Sequence, residues 1–561
     1  MIATTSKRSL FAAGFALLAL AATLGRVVTA KAGTLEAGTI PCSTAPVMTK
    51  AGQICGSGPL TGSSVAAFLG IPFAESTAGA NRFMPPVPKV AWSEVRSATA
   101  FADSCPQNPP PPTGLVQSED CLSLNVWTPS LPKTEGIGGG LPVMVFIHGG
   151  AFVIGSSSQG FPGGTNPDEA LYDGSTLAAK QKMVVVTLNY RLGPLGFLAG
   201  TAGLKGNFGF MDQQLALRWV QDNIARFGGD PGRVTLSGQS AGAMSVGLHL
   251  LSSPTSAGLF QGAIMQSNPL GLPYKNLTEA KRIGDLYLVA SGCWLKFRPL
   301  ECLRNKPLNE LMTAQKSPLL LTPVLEFGLY TLVTWAPVID GELILKAPLQ
   351  AAFDGGLTKP IIIGVNSNEG ALFLETGDKP LRRFGYNAAL ITFFGRETAA
   401  KVLAAYPFDP SNDNREQLSR LVSDYWFACA SRFVVRASKA PVYSYHYKHA
   451  SSIDLTPGFP ACLGKACHGD ELPFTFETLG ENGFTPEEVA LSSAIASYWG
   501  RFVTDQNPGT GDGSSPIWPA VTGADGPRLE ITDGFKIGTF EDHRCGFWDG
   551  IGYGRSALRP R

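Results

Sequence analysis

Ten residues, Arg233 to Gly242, constrain this chain more than any others: a short β-branched run ends at a serine with glycine two positions away on either side. The core of the stretch, Gly238-Gln239-Ser240-Ala241-Gly242, has the form G-x-S-x-G. A serine on a tight turn between a strand and a helix needs that spacing. A Cβ at either flanking position would meet neighbouring backbone while the hydroxyl is pushed into the open. So short a pattern recurs by chance, and an ordinary glycine-rich turn is the bland reading. Context separates the two, because the strand-like Val234-Thr235-Leu236 precedes the turn and the helical run AGAMSVGLHLL follows it. Ser240 is therefore the candidate nucleophile.

Around this turn, apolar runs alternate with a helical pattern. VAAFLGIPFA (65–74), SLNVWTP (123–129), the run beginning LPVMVFI (from 141), MVVVTLNYR (183–191), GAIMQS (262–267), KPIIIGVNSNEG (359–370) and PVYSYHY (441–447) read as strands. GNFGFMDQQLALRWVQDNIARFGG (206–229) reads as a helix with Leu217, Val220, Ile224 and Phe227 on one face and Gly228 at its end. Strand, helix and strand in turn predict an α/β fold with a large, mostly parallel central sheet flanked by helices. Residues 275–350 and 380–430 read as mainly helical insertions that form a cap and pocket walls. No repeat and no long linker interrupts the chain, so residues 31–561 are read as one domain.

Residues 1–30 have the form of a secretory signal: Lys7 and Arg8, an apolar run from Leu10 to Leu24, and small residues around Ala30. No later stretch approaches the ~18 uninterrupted apolar residues of a membrane span, so a protein exported in soluble form is expected. The ten cysteines are accordingly read first as disulfides. Their spacing suggests local pairs, Cys42 with Cys55, Cys105 with Cys121, Cys293 with Cys302, and Cys462 with Cys467. Cys429 and Cys545 remain as a long-range pair or two buried thiols. A metal site competes with this reading, but neither paired C-x-x-C spacing nor a histidine cluster supports it, and no cofactor or metal is expected. A net charge of +1 with scattered charges gives no footprint for nucleic acid and points to small, neutral partners. Asn276-Leu277-Thr278 is an acceptor sequence for N-glycosylation.

A serine hydroxyl becomes a useful nucleophile when a neutral imidazole takes its proton and a carboxylate steadies the imidazolium. His249, His446, His449 and His543 sit in contexts that read as structural, and His148 as a packed residue beside a loop. His468 stands apart, at a glycine-containing turn next to Cys467. Glu369 follows a buried strand and would emerge at the carboxyl edge of the sheet, where such sites form. Asp470 and Glu471 are its rivals, although so close to His468 they would have to fold back sharply. After the strand that begins at Leu141, the glycines of His148-Gly149-Gly150-Ala151 let backbone N–H groups turn toward a developing oxyanion. Gly150 and Ala151 are the candidate donors, with the N–H of Ala241 as the third.

FLGIPFA, RFMPPVP with Trp92, SEDCLSLNVWTP, HGGAF, NYRLGPLGF, GNFGFMDQQLALRWVQDNIARFGGDP, VTLSGQSAGAMSV, GVNSNEG and CHGDELPFTF occur in this order. In them the chain resembles the type B carboxylesterases, the cholinesterase-like branch of the α/β-hydrolase fold, over nearly everything after residue 30. The resemblance implies Ser240 as nucleophile, Glu369 as acid and His468 as base, with Gly150, Ala151 and Ala241 as the oxyanion hole. It also implies the Cys105–Cys121 and Cys293–Cys302 bonds and hydrolysis of small-molecule esters.

Departures accompany the matches. Gln239 stands where the family usually has glutamate, and the short, proline-rich loop between Cys105 and Cys121 contains no tryptophan. Both changes remove parts of a cation site, which points to neutral esters; Trp335 or Phe373 are the aromatic residues that would supply a cation site otherwise. The short loop also counts against the mobile lid of the family's true lipases, and the Cys462, Cys467 pair is foreign to the cholinesterase branch. A lipase or amidase using the same residues, and a non-catalytic adhesion protein, are the other readings.

Overall fold

Val143–Ile147 and Ile361–Ile363 carry apolar side chains at every position, the pattern of a strand covered on both faces. The computed structural model describes residues 42–58, 65–110, 116–129, 131, 139–162, 170–323, 333–374, 379–480, 482–523, 525–540 and 543–553. The expected signal segment lies outside them. Among the described residues the apolar runs form a sheet of ten strands. These are β1 (Ala66–Pro72), β2 (Ser123–Thr128), β3 (Leu141–Ile147), β4 (Val184–Leu188), β5 (Gly229–Gln239), β6 (Gly262–Gln266), β7 (Ile361–Asn366), β8 (Val442–Tyr447), β9 (Arg528–Ile531) and β10 (Phe535–Gly538). Their order across the sheet is β10-β9-β8-β7-β6-β5-β3-β4-β2-β1. From β9 to β4 all neighbours are parallel, while β2 and the hairpin partner β10 run antiparallel to theirs. The fold is the expected α/β-hydrolase architecture.

Helices cover both faces: α1 (Phe208–Asn223), α2 (Ala241–Leu251), α3 (Leu277–Ala290), α4 (Pro299–Asn305), α5 (Leu308–Ala314), α6 (Arg383–Ala405, broken at Gly395), α7 (Arg415–Val422), α8 (Cys429–Ala437) and α9 (Pro486–Asp505). Val143, Val145 and Ile147 of β3 join one apolar cluster with Leu217 and Val220 of α1 and Val246 and Leu248 of α2. The intervening Met144 and Phe146 join the other, with Ile495, Tyr498 and Trp499 of α9. Alternate residues thus feed opposite cores, so a register slip of one would exchange them.

That register also levels the carboxyl ends of the strands. Ile147 pairs with Gly238, Gln239 with Gln266, and Gly364 with both Gln266 and Tyr445. The ladder continues into the loops, where Ser240 N donates to Gln266 O at 2.9 Å and Ser367 N to Tyr447 O at 2.9 Å. The loops bearing Ser240, Glu369 and the glycine run after β3 therefore leave the sheet along one edge.

The helix expected over 206–229 is shorter. It ends at Asn223, a 3₁₀ turn carries Ile224–Phe227, and Gly228 (φ 83°) turns the chain so that Gly229 already opens β5. The expected face holds nonetheless, with Leu217, Val220, Ile224 and Phe227 all buried. The β9–β10 hairpin was not expected from sequence, though Asp533-Gly534 at its turn carries the signal. Asn276, read as a glycosylation acceptor, caps α3, its side chain accepting from Glu279 N at 3.0 Å. All ten cysteines are bonded: the four local pairs as expected, and Cys429 to Cys545, which resolves that pair against free thiols. Among the described residues no helix is long and apolar enough to cross a membrane.

Candidate active site

β5 enters the turn with extended backbone and α2 leaves it immediately, so one residue must absorb the reversal. Ser240 does so, with φ 56° and ψ −121°, a conformation costly for any residue but glycine. The flanking glycines explain themselves. A Cβ on Gly238 would sit 2.6 Å from the carbonyl carbon of Gly242, and one on Gly242 would lie 1.9 Å from the Ile147 oxygen. Neither can be replaced without moving backbone.

Glu369 follows β7 and is fully buried. One carboxylate oxygen accepts from Asn366 N at 2.7 Å, and the other lies 2.5 Å from Nδ1 of His468. The loop carrying His468 is held three ways: the Cys462–Cys467 bond, Asn368 N to Ala466 O at 2.9 Å, and Asn366 Nδ2 to Cys467 O at 2.6 Å. A proton on Nδ1 facing Glu369 leaves Nε2 as an acceptor. Nε2 lies 3.2 Å from the side-chain amide of Gln239, the residue before Ser240, and the amide donates to it. The ring packs against Phe373 and Phe427, which stack on each other at 6.0 Å and whose centroids are 5.0 and 5.3 Å from it.

The rivals to Glu369 are close but turned elsewhere. Asp470 accepts from Cys467 N at 2.7 Å, and Glu471 accepts from Asn366 Nδ2 at 2.6 Å and Gln266 Nε2 at 3.3 Å. Burial pushes both carboxyls up to about 7, with Glu369 adding to the shift at Glu471.

The glycine run after β3 lies against the serine turn. A Cβ on Gly149 would be 3.1 Å from Ser240 Cβ. Gly150 (φ 101°), Ala151 (φ 52°) and Phe152 (φ 62°) follow in left-handed backbone. Among the described residues no acceptor meets the N–H groups of Gly150 or Ala151. Two ties steady this loop. Gln107, inside the Cys105–Cys121 loop, exchanges bonds with both backbone groups of Gly155, at 2.9 and 3.0 Å. Gly193 N donates to Phe152 O at 2.7 Å, two residues after the buried Arg191–Asp212 ion pair of 2.6 Å. His148 is packed as expected, stacked on Tyr190 at 4.5 Å, with burial lowering its imidazole to about 4.

Sequence reasoning missed three participants. Gln239 was noticed as a lost carboxylate but not as the partner of the imidazole. Asn366 ties together the Glu369 loop, the His468 loop and Glu471. A polar residue closing an apolar strand was its available signal. The third is Phe427: of the aromatic residues named from sequence Phe373 does lie against His468, Phe427 joins it there, and Trp426 lies 6.0 Å from Phe373. The other aromatic candidate, Trp335, packs on Tyr287 instead. Among the described residues no group of side chains could hold a metal ion.

Comparison with known proteins gives a consistent picture. The family model described as "Carboxylesterase family" matches residues 43–548. The cholinesterase of Mus musculus is 34% identical over 545 residues, covering 90% of this chain and 86% of that protein. The pyrethroid hydrolase Ces2e of Rattus norvegicus is 34% identical over 515 residues, 84% of each chain. Among solved structures, PNB esterase superposes with a TM-score of 0.73 at 32% identity, covering 89% of this chain and 98% of that one.

Proposed function

The chain belongs to the carboxylesterase family and is a carboxylic ester hydrolase, and from that premise we propose that it cleaves neutral esters through an acyl-enzyme on Ser240. His468 Nε2 takes the hydroxyl proton as Oγ attacks the ester carbonyl carbon, and Glu369 stabilises the imidazolium. The N–H groups of Gly150, Ala151 and Ala241 receive the oxyanion. Collapse breaks the ester C–O bond, and His468 returns the proton to the departing alcohol. Water then attacks the acyl carbon by the same route in reverse, releasing the acid and restoring the hydroxyl.

The observation that carries this reading is the 2.5 Å approach of Glu369 to His468 Nδ1, with the strained serine turn beside the other ring nitrogen. A neutral alcohol portion is favoured because Gln239 presents an amide where a carboxylate would attract a cation. Export after loss of residues 1–30, and one domain over 31–561, belong to the same proposal; the five disulfides support the first. A fluorophosphonate should label Ser240, located by peptide mass, and a panel of neutral esters graded in acyl and alcohol size should be hydrolysed. Label on another residue would end the assignment.

A further inference from the structure

Between α3 and α4 the chain makes a short excursion, Trp294-Leu295-Lys296-Phe297-Arg298, closed at its base by Cys293–Cys302. Its apolar side chains face outward. Leu295 is 91% exposed, Phe297 97% and Trp294 49%, whereas Cys293 and Leu303 at the base are fully buried. Large apolar side chains left in water are costly at about 25 cal/mol per Å², and neighbours projecting together from a clamped turn mark a contact surface. The flanking charge is net positive: Lys296, Arg298, Arg304 and Lys306 stand against Glu301 and Glu310, with Arg298 paired to Glu301 at 3.3 Å, Lys306 to Glu310 at 2.6 Å, and Arg304 donating to Arg82 O at 3.0 Å. A shallow groove of about 540 Å³ runs beside Phe297, edged by Lys296, Arg298 and Lys306.

We propose that this tip is an interfacial anchor that seats the enzyme on an anionic lipid surface. Aromatic and aliphatic tips enter the headgroup region while lysine and arginine stay level with the phosphates. A five-residue tip is too small for a stable protein interface, which needs about 800 Å² from each partner, and lysine is depleted at the centre of such interfaces.

The base of the tip is tied to the Cys105–Cys121 loop. Arg82 donates to the carbonyls of Leu303, Arg304 and Lys306 at 3.2, 2.9 and 2.7 Å, and its other edge pairs with Glu119 at 2.5 Å. Glu119 lies just before Cys121, in the loop whose Gln107 holds Gly155. Asn108 of the same loop donates to Met312 O in α5 at 3.2 Å. β1 pairs with β2, and β2 runs antiparallel to β4 with Leu124 opposite Leu188, so the chain entering β2 from Cys121 lies at the carboxyl end of β4.

Cosedimentation with phosphatidylcholine vesicles, with and without about 30 mol% phosphatidylserine, tests the proposal. The full chain should bind the anionic vesicles, and added salt should weaken it. Leu295→Asp with Phe297→Asp should lower partitioning roughly tenfold or more without changing turnover of a soluble short-chain ester. Lys296→Glu with Arg298→Glu should remove the preference for the anionic vesicles. Equal binding by the aspartate variant, or a wild type that stays in the supernatant, overturns the proposal. So does a self-association, seen by sedimentation velocity, that the aspartate variant abolishes. The vesicle measurement is independent of ester cleavage, so a failed esterase assignment and a failed anchor are told apart.

Discussion

Two imidazoles in this molecule present Nδ1 to a buried carboxylate at nearly the same distance: His468 to Glu369 at 2.5 Å and His543 to Asp424 at 2.6 Å. What faces the opposite nitrogen separates them. Nε2 of His468 meets Gln239 at the strained serine turn, with the glycine run close by. Nε2 of His543 has no hydrogen-bond partner among the described residues, and its ring packs 5.2 Å from that of His446. Asp424 is occupied by Tyr406 as well, whose hydroxyl donates at 2.6 Å and accepts from Trp548 Nε1 at 2.9 Å. His446 even lies 3.0 Å from a serine, Ser367, but that serine lacks the left-handed backbone of Ser240. A histidine–carboxylate pair alone is thus a packing device as readily as a catalytic one, and the backbone around the serine makes the difference.

The largest expected effects test that contrast directly. Ser240→Ala should abolish ester turnover, and Glu369→Gln should lower kcat by roughly 10³ to 10⁴, because loss of the carboxylate lets the histidine take the wrong tautomer. Asp424→Asn, the matching change in the other pair, should leave kcat within about twofold and register in the melting temperature instead, as expected for one weakened buried hydrogen bond. Comparable loss of kcat in both variants would erase the distinction. The oxyanion loop is next. Ala151→Pro removes one N–H and should cost about 10² to 10³ in kcat with a much smaller change in KM. An unchanged kcat would move the donor elsewhere.

How much of this contrast can be read from sequence depends on the length scale of its cause. The serine turn is local: glycines at fixed offsets between an apolar strand and a helix leave a pattern of adjacent residues, and the Gly242 contact with Ile147 O is the steric reason for it. Glu369 was legible because it closes an apolar strand, and His468 because a cysteine and a glycine flank it. Asp424 and His543 are 119 residues apart and gave no signal, since their meeting is made by the packing of α8 and the Cys429–Cys545 bond. The same limit hid the contacts of Gln239 and Phe427 with His468, which only tertiary packing assembles.

Beside His468, though not beside His543, stands a buried carboxyl at about 7, and the sign of its effect on stability can be measured. Asp470 is raised in the folded state by burial. Its contribution is fully present below the unfolded value near 4 and is lost as pH climbs toward 7, at about 1.4 kcal/mol per unit. Asp470→Asn keeps an oxygen for the Cys467 N–H and has no proton to lose. Its melting temperature relative to wild type should therefore rise by a few degrees between pH 4.5 and pH 8, as expected for a change of this size in a large domain. A difference independent of pH would show that Asp470 ionises as readily folded as unfolded.

The smallest effect concerns the residue that most sharply distinguishes the two imidazoles. Gln239 donates to Nε2 of His468, so its amide competes with the serine proton for the same lone pair. Gln239→Glu replaces that donor with a negative charge beside the serine turn. The same charge should favour a cationic alcohol. Acetylcholine against its uncharged analogue 3,3-dimethylbutyl acetate, compared by kcat/KM at equal pH and salt, should shift toward the cation by about tenfold, worth about 1.4 kcal/mol. Wild type should show no preference for acetylcholine, because a cation near Phe373 and Phe427 would have only ring faces and no carboxylate from Gln239. A strong preference in the unmodified enzyme would mean that these rings and Trp426 already form a cation site, and would overturn the neutral-ester reading. A selectivity left unchanged by Gln239→Glu would mean that residue 239 does not face the alcohol portion of the substrate.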